Sequence, residues 1–255
     1  MTVCLNVWAM ESYESLARSY DALMRDVDYE RRSAFVERLF LRAKRPVHTV
    51  LDLACGTGTT TCLLTERGYE LISVDDSEDM LMQAREKAQE IGGVPPLFLH
   101  QSMPRLDLND TVDVAICCMD SLNYLTSPRD VKRTFERLRL FVSPGGALVF
   151  DVHARGKLEA MDGQMYMDED DGVCCVWRTE FRREVLDYCV DLFTRRPDGA
   201  WTRETELHRQ RYYSAEELTQ WLCAAGFTEI RTYGDCRMRR PNETDGRIYF
   251  SCIRK

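Results

Sequence analysis

Two carboxylates and two glycines carry the most specific chemistry in this chain. The apolar run Val50-Leu51-Asp52-Leu53 is interrupted by an acid and leads into Ala54-Cys55-Gly56-Thr57-Gly58-Thr59. Gly56 and Gly58 allow a sharp turn and a close approach of backbone to ligand, because no Cβ stands in the way. A helix opening at Thr59 aims its N-terminal N–H groups at the same place. Asp75 follows nineteen residues after Gly56, at the end of the next apolar run. There its carboxylate is placed to accept hydrogen bonds from ribose hydroxyls.

A dinucleotide would use a similar turn, but two details argue against one. The third glycine of a Gly-x-Gly-x-x-Gly run is Thr61 here. Asp52, inside the strand before the turn, would repel a pyrophosphate and suits a cation. S-adenosylmethionine carries a sulfonium and an ammonium and no phosphate. The competing reading is that Asp52 only satisfies backbone donors in the turn.

The elements that must position these residues follow from hydrophobic period and punctuation. Residues 8–24 read as a helix with Leu16, Tyr20 and Leu23 on one face, and a second helix runs from an N-cap at Asp28 to about Lys44. Strand and helix then alternate: strand 47–53, helix 59–67, strand 70–74, helix 77–90 capped by Ser77, strand 97–99, strand 112–118, helix 129–141 and strand 147–152. Pro144-Gly145-Gly146 reads as the turn into the last of these. This rhythm predicts a parallel sheet covered on both faces. It breaks at Met161–Asp171, an acidic stretch that reads as a solvated loop. Three alternating segments follow, with Pro197-Asp198-Gly199 as a hairpin turn, and they read as an antiparallel insert. A helix with a Ser214/Glu217 capping box and strands 227–233 and 247–253 close the chain.

Composition narrows the class. The 255 residues are 44% hydrophobic and 30% charged, a globular balance. A net charge of −8, with only short basic clusters such as Arg237, Arg239 and Arg240, argues against a nucleic-acid partner. The 11 cysteines form no Cys-x-x-Cys pair, and Cys117–Cys118 and Cys174–Cys175 cannot face one side of a strand. They read as reduced thiols acting as small hydrophobes, and the expected compartment is the cytoplasm. The four histidines, His48, His100, His153 and His208, have no metal-ligand spacing, so no metal is expected. No secretory signal stands at the N-terminus, and no apolar run approaches the ~20 residues that span a bilayer.

On these residues the chain resembles the class I S-adenosylmethionine-dependent methyltransferases of small-molecule type, over essentially its whole length. Leu51–Gly58 is similar to their first motif, and Ser73–Ser77 with Met80-Leu81 to the second. Asp113–Ile116 before Asp120–Leu125 is similar to the fourth, Pro144-Gly145-Gly146 before Phe150–Val152 to the turn into the fifth strand, and Tyr20–Met24 to an N-terminal lid helix. The resemblance implies an α/β fold: a Rossmann-like, seven-stranded, mostly parallel sheet with helices on both faces, plus a three-stranded antiparallel insert. It implies lid helices over 1–45, a cofactor-binding domain over 46–157 and 211–255, and an insert over 158–210 that covers the acceptor site. It also implies roles. Asp52, Ala54 and the Gly56–Gly58 backbone hold the methionine end, and Asp75 holds the ribose. Asp76, Ser102 and Met103 flank the adenine, and Met119 and Asp120 with the loop through Tyr124 line the methyl-donor mouth. Tyr13 or Tyr20 reaches the cofactor's carboxylate and closes the site from water; ordinary helix packing is the alternative for both. Ser102 departs from the family, which often has an acid there. Asp76 departs where an apolar residue is usual.

A sulfonium methyl is already activated, so the protein supplies positioning and desolvation, and a base only if the acceptor must lose a proton. Candidates for a base are Asp120, His153 just after the fifth strand, and His208 or Tyr212 at the insert's return. The expected activity is in-line methyl transfer to a small-molecule N, O or C acceptor by a monomer or homodimer. The alternatives are an RNA or protein methyltransferase, or a protein that binds S-adenosylmethionine without turnover. An NAD oxidoreductase is a more distant reading.

Overall fold

The computed structural model describes residues 16–170 and 172–255. Tyr13 and the first half of the helix expected over 8–24 lie outside them. What is described of that helix is a 3-10 turn, Leu16–Ser19, leading into one turn of α-helix, α1 (Tyr20–Leu23).

The main sheet has seven strands. They are β1 (Thr49–Leu53), β2 (Glu70–Asp75), β3 (Leu97–His100), β4 (Val112–Cys117), β5 (Val142–His153), β10 (Phe227–Tyr233) and β11 (Arg247–Arg254). Their order is β10-β11-β5-β4-β1-β2-β3. β1 to β5 pair in parallel, and β11 runs antiparallel between β5 and β10. All six residues of β4 are buried, as a central strand covered on both faces requires.

Side-chain alternation sorts the strands into two cores. Leu51, Leu53, Ala115, Cys117, Leu148 and Phe150 face α5 (Pro128–Phe141) and α7 (Ala215–Ala224), which contribute Phe135, Leu138, Leu218 and Leu222. Val50, Val114, Ile116, Ala147 and Val149 face α2 (Tyr29–Phe40) and α3 (Thr59–Glu66), which contribute Phe35, Val36, Leu39 and Leu64. Each Val, Leu, Ile or Phe among them contributes roughly 1.5–3 kcal/mol on burial. Asp52 shares the parity of Val50 and so points toward α3. Cys117 lies in the first core and Cys118 packs against the second, so the adjacent pair does split across the sheet.

The expected caps are present. Asp28 accepts from the Arg31 amide, Ser77 caps α4 (Glu78–Ala88) through the Met80 amide, and Ser214 and Glu217 form the capping box of α7. The region around Pro144 differs from expectation, because β5 runs from Val142 without a separate turn. A register shift against β4 absorbs the extra length. A Cβ on Gly146 would stand 2.5 Å from the Asp113 carbonyl oxygen, so glycine there lets the two strands close.

The insert has four antiparallel strands where three were expected. β6 (Met165–Asp170), β7 (Val173–Arg182), β8 (Val185–Arg195) and β9 (Trp201–Arg211) pair in that order. The acidic stretch read as a loop supplies β6. It is an edge strand with Met165 and Met167 exposed, so no apolar alternation marks it. Its Asp168 is tied to Arg25, just after α1, at 2.6 Å. The inward face of the insert, Cys175, Val190 and Leu192 with Trp177 and Tyr188 against them, also packs Leu23 of α1. Between the two sheets, α6 (Arg155–Ala160) leads from β5 toward the insert. The ten described cysteines are free thiols. Among the described residues no helix is long and apolar enough to cross a membrane.

Candidate functional site

Two cavities lie at the carboxyl ends of the central strands. The first, about 320 Å³, is built on the turn that leaves β1. Ala54, Gly56 and Gly58 all adopt left-handed φ (62°, 56° and 74°), which folds the chain back on itself. The glycines serve different ends. A Cβ on Gly56 would meet nothing within 4 Å, and Gly56 lines the cavity. Gly58 does not line it. A Cβ there would stand 2.9 Å from the Ala84 Cβ, so Gly58 packs the turn against α4 and does not give a ligand room.

Asp75 joins the β1 and β2 turns by accepting from the amides of Gly56 (2.8 Å) and Ser77 (2.9 Å). A carboxylate has about four lone-pair sites, so these two bonds do not exhaust it. Burial raises its pKa, opposed by the amide N–H groups of Ser77, Gly56 and Asp76. Asp52 is buried at 2% exposure and accepts from the Thr61 hydroxyl at 2.7 Å. Thr61 in turn is 2.9 Å from the Ser73 hydroxyl. Burial, and then the charge of Asp75, push the Asp52 carboxyl up to about 7 against the Thr61 hydrogen bond. A carboxylate in that state lacks a counter-charge, and a cation beside it would restore the ionised form.

Asp76, Ser102 and Met103 line the same cavity. Asp76 is exposed at the rim and caps nothing, the cap being Ser77. Tyr20 and Met119 line both cavities. Ser121 and Tyr124, of the loop expected at the methyl-donor mouth, also line the first, as do Tyr29, Gln101 and Cys118, which were missed by sequence reasoning. Gln101 carried no local signal; its amide brackets the Asp107 backbone at 2.8 and 3.0 Å. The Tyr20 and Tyr29 hydroxyls hydrogen-bond, and burial pushes Tyr29 up to about 12. The α1 segment is fastened over the cofactor turn by Asp21, which accepts from the Thr57 hydroxyl and pairs with Lys87, each at 2.7 Å.

The second cavity, about 370 Å³, adjoins the first through Tyr20, Met119 and Tyr124. Its walls come from the α1 segment (Leu23, Met24, Val27) and from the insert (Trp177, Tyr188, Val190). At its floor stand Asp120, His153 and His208. Met119 and Asp120 are consecutive non-glycine residues in the left-handed region (φ 60° and 56°). Asp151, fully buried at the end of β5, holds that turn by accepting from both their amides, at 2.9 and 3.0 Å. Arg247 of β11 bridges the two acids, one nitrogen on Asp151 and the other 2.5 Å from Asp120. Gln210 donates to Asp120 at 2.6 Å, and His153 Nε2 lies 3.1 Å from the same oxygen. Burial alone would raise the pKa of Asp120; the neighbouring His153 and Arg247 charges overcome it and hold the carboxyl well below the ordinary carboxylate range. With Asp120 ionised, Nε2 of His153 must be the protonated nitrogen, and Nδ1 has no hydrogen-bond partner among the described residues. His208 is held differently, between Glu206 at 3.0 Å and the Tyr124 hydroxyl at 3.5 Å. Tyr212 lines neither cavity and lies under the Arg155 guanidinium.

This geometry has relatives. Residues 50–146 match the family described as a methyltransferase domain. A protein of Geobacillus sp. (strain WCH70), named only as a methyltransferase with no acceptor stated, is 32% identical over 243 residues, covering 94% of this chain and 98% of its own. An S-adenosylmethionine-dependent methyltransferase from Clostridium acetobutylicum ATCC 824 superposes with a TM-score of 0.85 at 27% identity, over 95% of this chain and 98% of that one. A sugar N-methyltransferase from Streptoalloteichus sp. ATCC 53650 shares the fold, with a TM-score of 0.78 at 22% identity over 92% of each chain. The chain belongs to the S-adenosylmethionine-dependent methyltransferases of the class I, Rossmann-like fold. Its cofactor is S-adenosylmethionine.

Proposed function

We propose that the enzyme methylates a small molecule held in the second cavity, with the cofactor held in the first. The observation that carries this reading is the shared wall: Tyr20, Met119 and Tyr124 border both spaces, and the donor side contains a buried carboxylate short of a counter-charge. Asp52 with the Ala54–Gly56 backbone would hold the methionine end, Asp75 the ribose hydroxyls, and Asp76, Ser102 and Met103 the adenine side. The cofactor supplies a methyl group on a positively charged sulfur. In the transfer the sulfur–methyl bond breaks as the bond from the acceptor forms, and the acceptor's proton must leave. His153 lines the second cavity beside Asp120 and is the residue we assign to take that proton, a role that requires a neutral imidazole before transfer; Asp120 orients the ring. Asp120 itself is a weak base in this setting, because Arg247 and His153 keep it ionised. His208 positions Tyr124.

A cavity of about 370 Å³ suits a small acceptor better than a polymer, and the sugar N-methyltransferase shows that this fold houses such chemistry. The lid at 1–45, the catalytic body at 46–157 and 211–255, and the insert at 158–210 are the divisions we propose for the chain. The reduced thiols support a cytoplasmic enzyme. Calorimetry with S-adenosylmethionine, its demethylated product and NAD side by side, followed by an acceptor screen read by product release, tests the reading. Binding of NAD in place of the other two, or no turnover across small acceptors, would overturn it.

A further inference from the structure

We infer that the acceptor carries an acidic group, a carboxylate or a phosphate, which Lys157 and Arg32 hold at the far end of the second cavity. The inference rests on reading that cavity as the acceptor chamber. Among the described residues three Lys/Arg side chains line it, Arg32 of α2, Lys157 of α6 and Arg247 of β11, against one carboxylate, Asp120. Arg247 is already neutralised, one nitrogen on Asp120 and the other on Asp151. Arg32 spends Nη1 on the Tyr249 hydroxyl at 3.0 Å and on Asp235 at 3.4 Å. The Lys157 ammonium makes no hydrogen bond or ion pair among the described residues. Its stem is set over Gly246, where an added Cβ would come within 3.4 Å of the lysine Cδ.

A half-buried ammonium without a partner costs free energy, since burial removes its water and nothing replaces it. Here the cost is increased by like charge. Burial, then Arg247 and Arg32, press on Lys157 and lower its pKa, only partly offset by Asp120 and Asp151. An anion at that point restores what the fold withholds, through a charge-assisted hydrogen bond from Lys157 and the charge of Arg32. The rest of the chamber suits the remainder of such a molecule. Trp177, Tyr188 and Val190 give an apolar wall, and Tyr124 and Met119 border the cofactor cavity as well. The acidic group therefore serves as the handle that turns the acceptor's amine or hydroxyl toward the methyl donor.

Trp177 lines the chamber, so its fluorescence reports occupancy independently of turnover. The full-length protein, saturated with demethylated cofactor, is titrated with phenylacetate, phenyl phosphate and neutral phenylacetamide. At least one of the two anions is expected to bind, about tenfold or more tighter than the amide, as one charge-assisted contact implies. The preference between the anions tells a carboxylate site from a phosphate site. Lys157→Met keeps the stem over Gly246 and is expected to erase that preference with cofactor affinity unchanged; Lys157→Arg is expected to restore it. Equal binding of anion and amide, binding of neither anion, or an anion preference that survives Lys157→Met would overturn the inference. Failure of cofactor binding or of acceptor turnover would instead count against the proposed function, which these titrations do not measure.

Discussion

The Thr61 hydroxyl donates to the Asp52 carboxylate at 2.7 Å, across the first turn of α3. A dinucleotide-binding turn would have its third glycine at this position. The threonine fills the space that would let helix and ligand approach, and uses its hydroxyl to orient an acid beneath the cofactor. The substitution that argues against a pyrophosphate is thus the one that supports a carboxylate for a cation.

That carboxylate predicts a pH dependence. Its pKa stands at about 7 with no cation beside it, and pairing with a cationic cofactor requires the ionised form. Below pH 7 binding must release a proton, so affinity should fall by up to about tenfold per pH unit and level off above it. Asp52→Asn should bind more weakly at pH 8 and lose the slope. For stability of the cofactor-free protein the sign is opposite. A folded pKa raised from 3.8 to about 7 means the contribution is full below pH 4 and lost as pH rises to 7. Calorimetry in two buffers of different ionisation enthalpy measures the released proton; no release at pH 6 would show that Asp52 does not titrate with binding.

Gly58→Val should act on stability before it acts on binding. The new side chain meets Ala84 and inherits a φ of +74°. Left-handed strain of about 1–2 kcal/mol plus overpacking of about 1–3 kcal/mol predicts a loss of several kcal/mol in urea unfolding. Gly56→Ala bears only the strain in stability but faces the cavity, so cofactor affinity should fall more than its denaturation midpoint. The reverse ranking would mean the two glycines have exchanged roles.

The Asp21 latch sets how easily the α1 segment lifts from the cofactor turn. Asp21 is half exposed, so the pair with Lys87 and Thr57 is worth no more than about 1 kcal/mol. Asp21→Ala should accelerate cofactor release several-fold, with a smaller effect at high salt. Stopped-flow dissociation measures this; an unchanged off-rate would separate this contact from cofactor exchange.

Asp151→Asn should destabilise the fold. An amide offers one acceptor oxygen where two backbone amides now bond, and it leaves Arg247 without half of its counter-charge. Disrupting a buried pair of this kind costs about 3–5 kcal/mol. A wild-type unfolding midpoint would show that the left-handed turn at Met119–Asp120 holds itself.

His153→Gln should lower kcat about 10²–10⁴-fold if the imidazole takes the acceptor's proton, and leave cofactor affinity intact. Single-turnover kinetics with saturating cofactor measure this; an unchanged kcat would show that His153 takes no proton from the acceptor.

By itself the sequence determined the alternation of strands and helices, their caps, the turn after β1 and the acids that frame it. All of these depend on neighbours within a few residues and on the period of burial. It could not show β6, because an exposed edge strand is stabilised by pairing with β7 and needs no apolar alternation of its own. It pointed to Gly58 as ligand-facing, since only the packing of α4 reveals that Ala84 occupies that side. The second cavity was beyond local reading for the same reason. Asp120, Asp151 and Arg247 are separated by up to 127 residues, and Lys157 and Arg32 sit on helices with no mark of a site. Long-range packing decided which charges were neutralised, and of the described cations lining the second cavity the Lys157 ammonium has no hydrogen-bond or ion-pair partner.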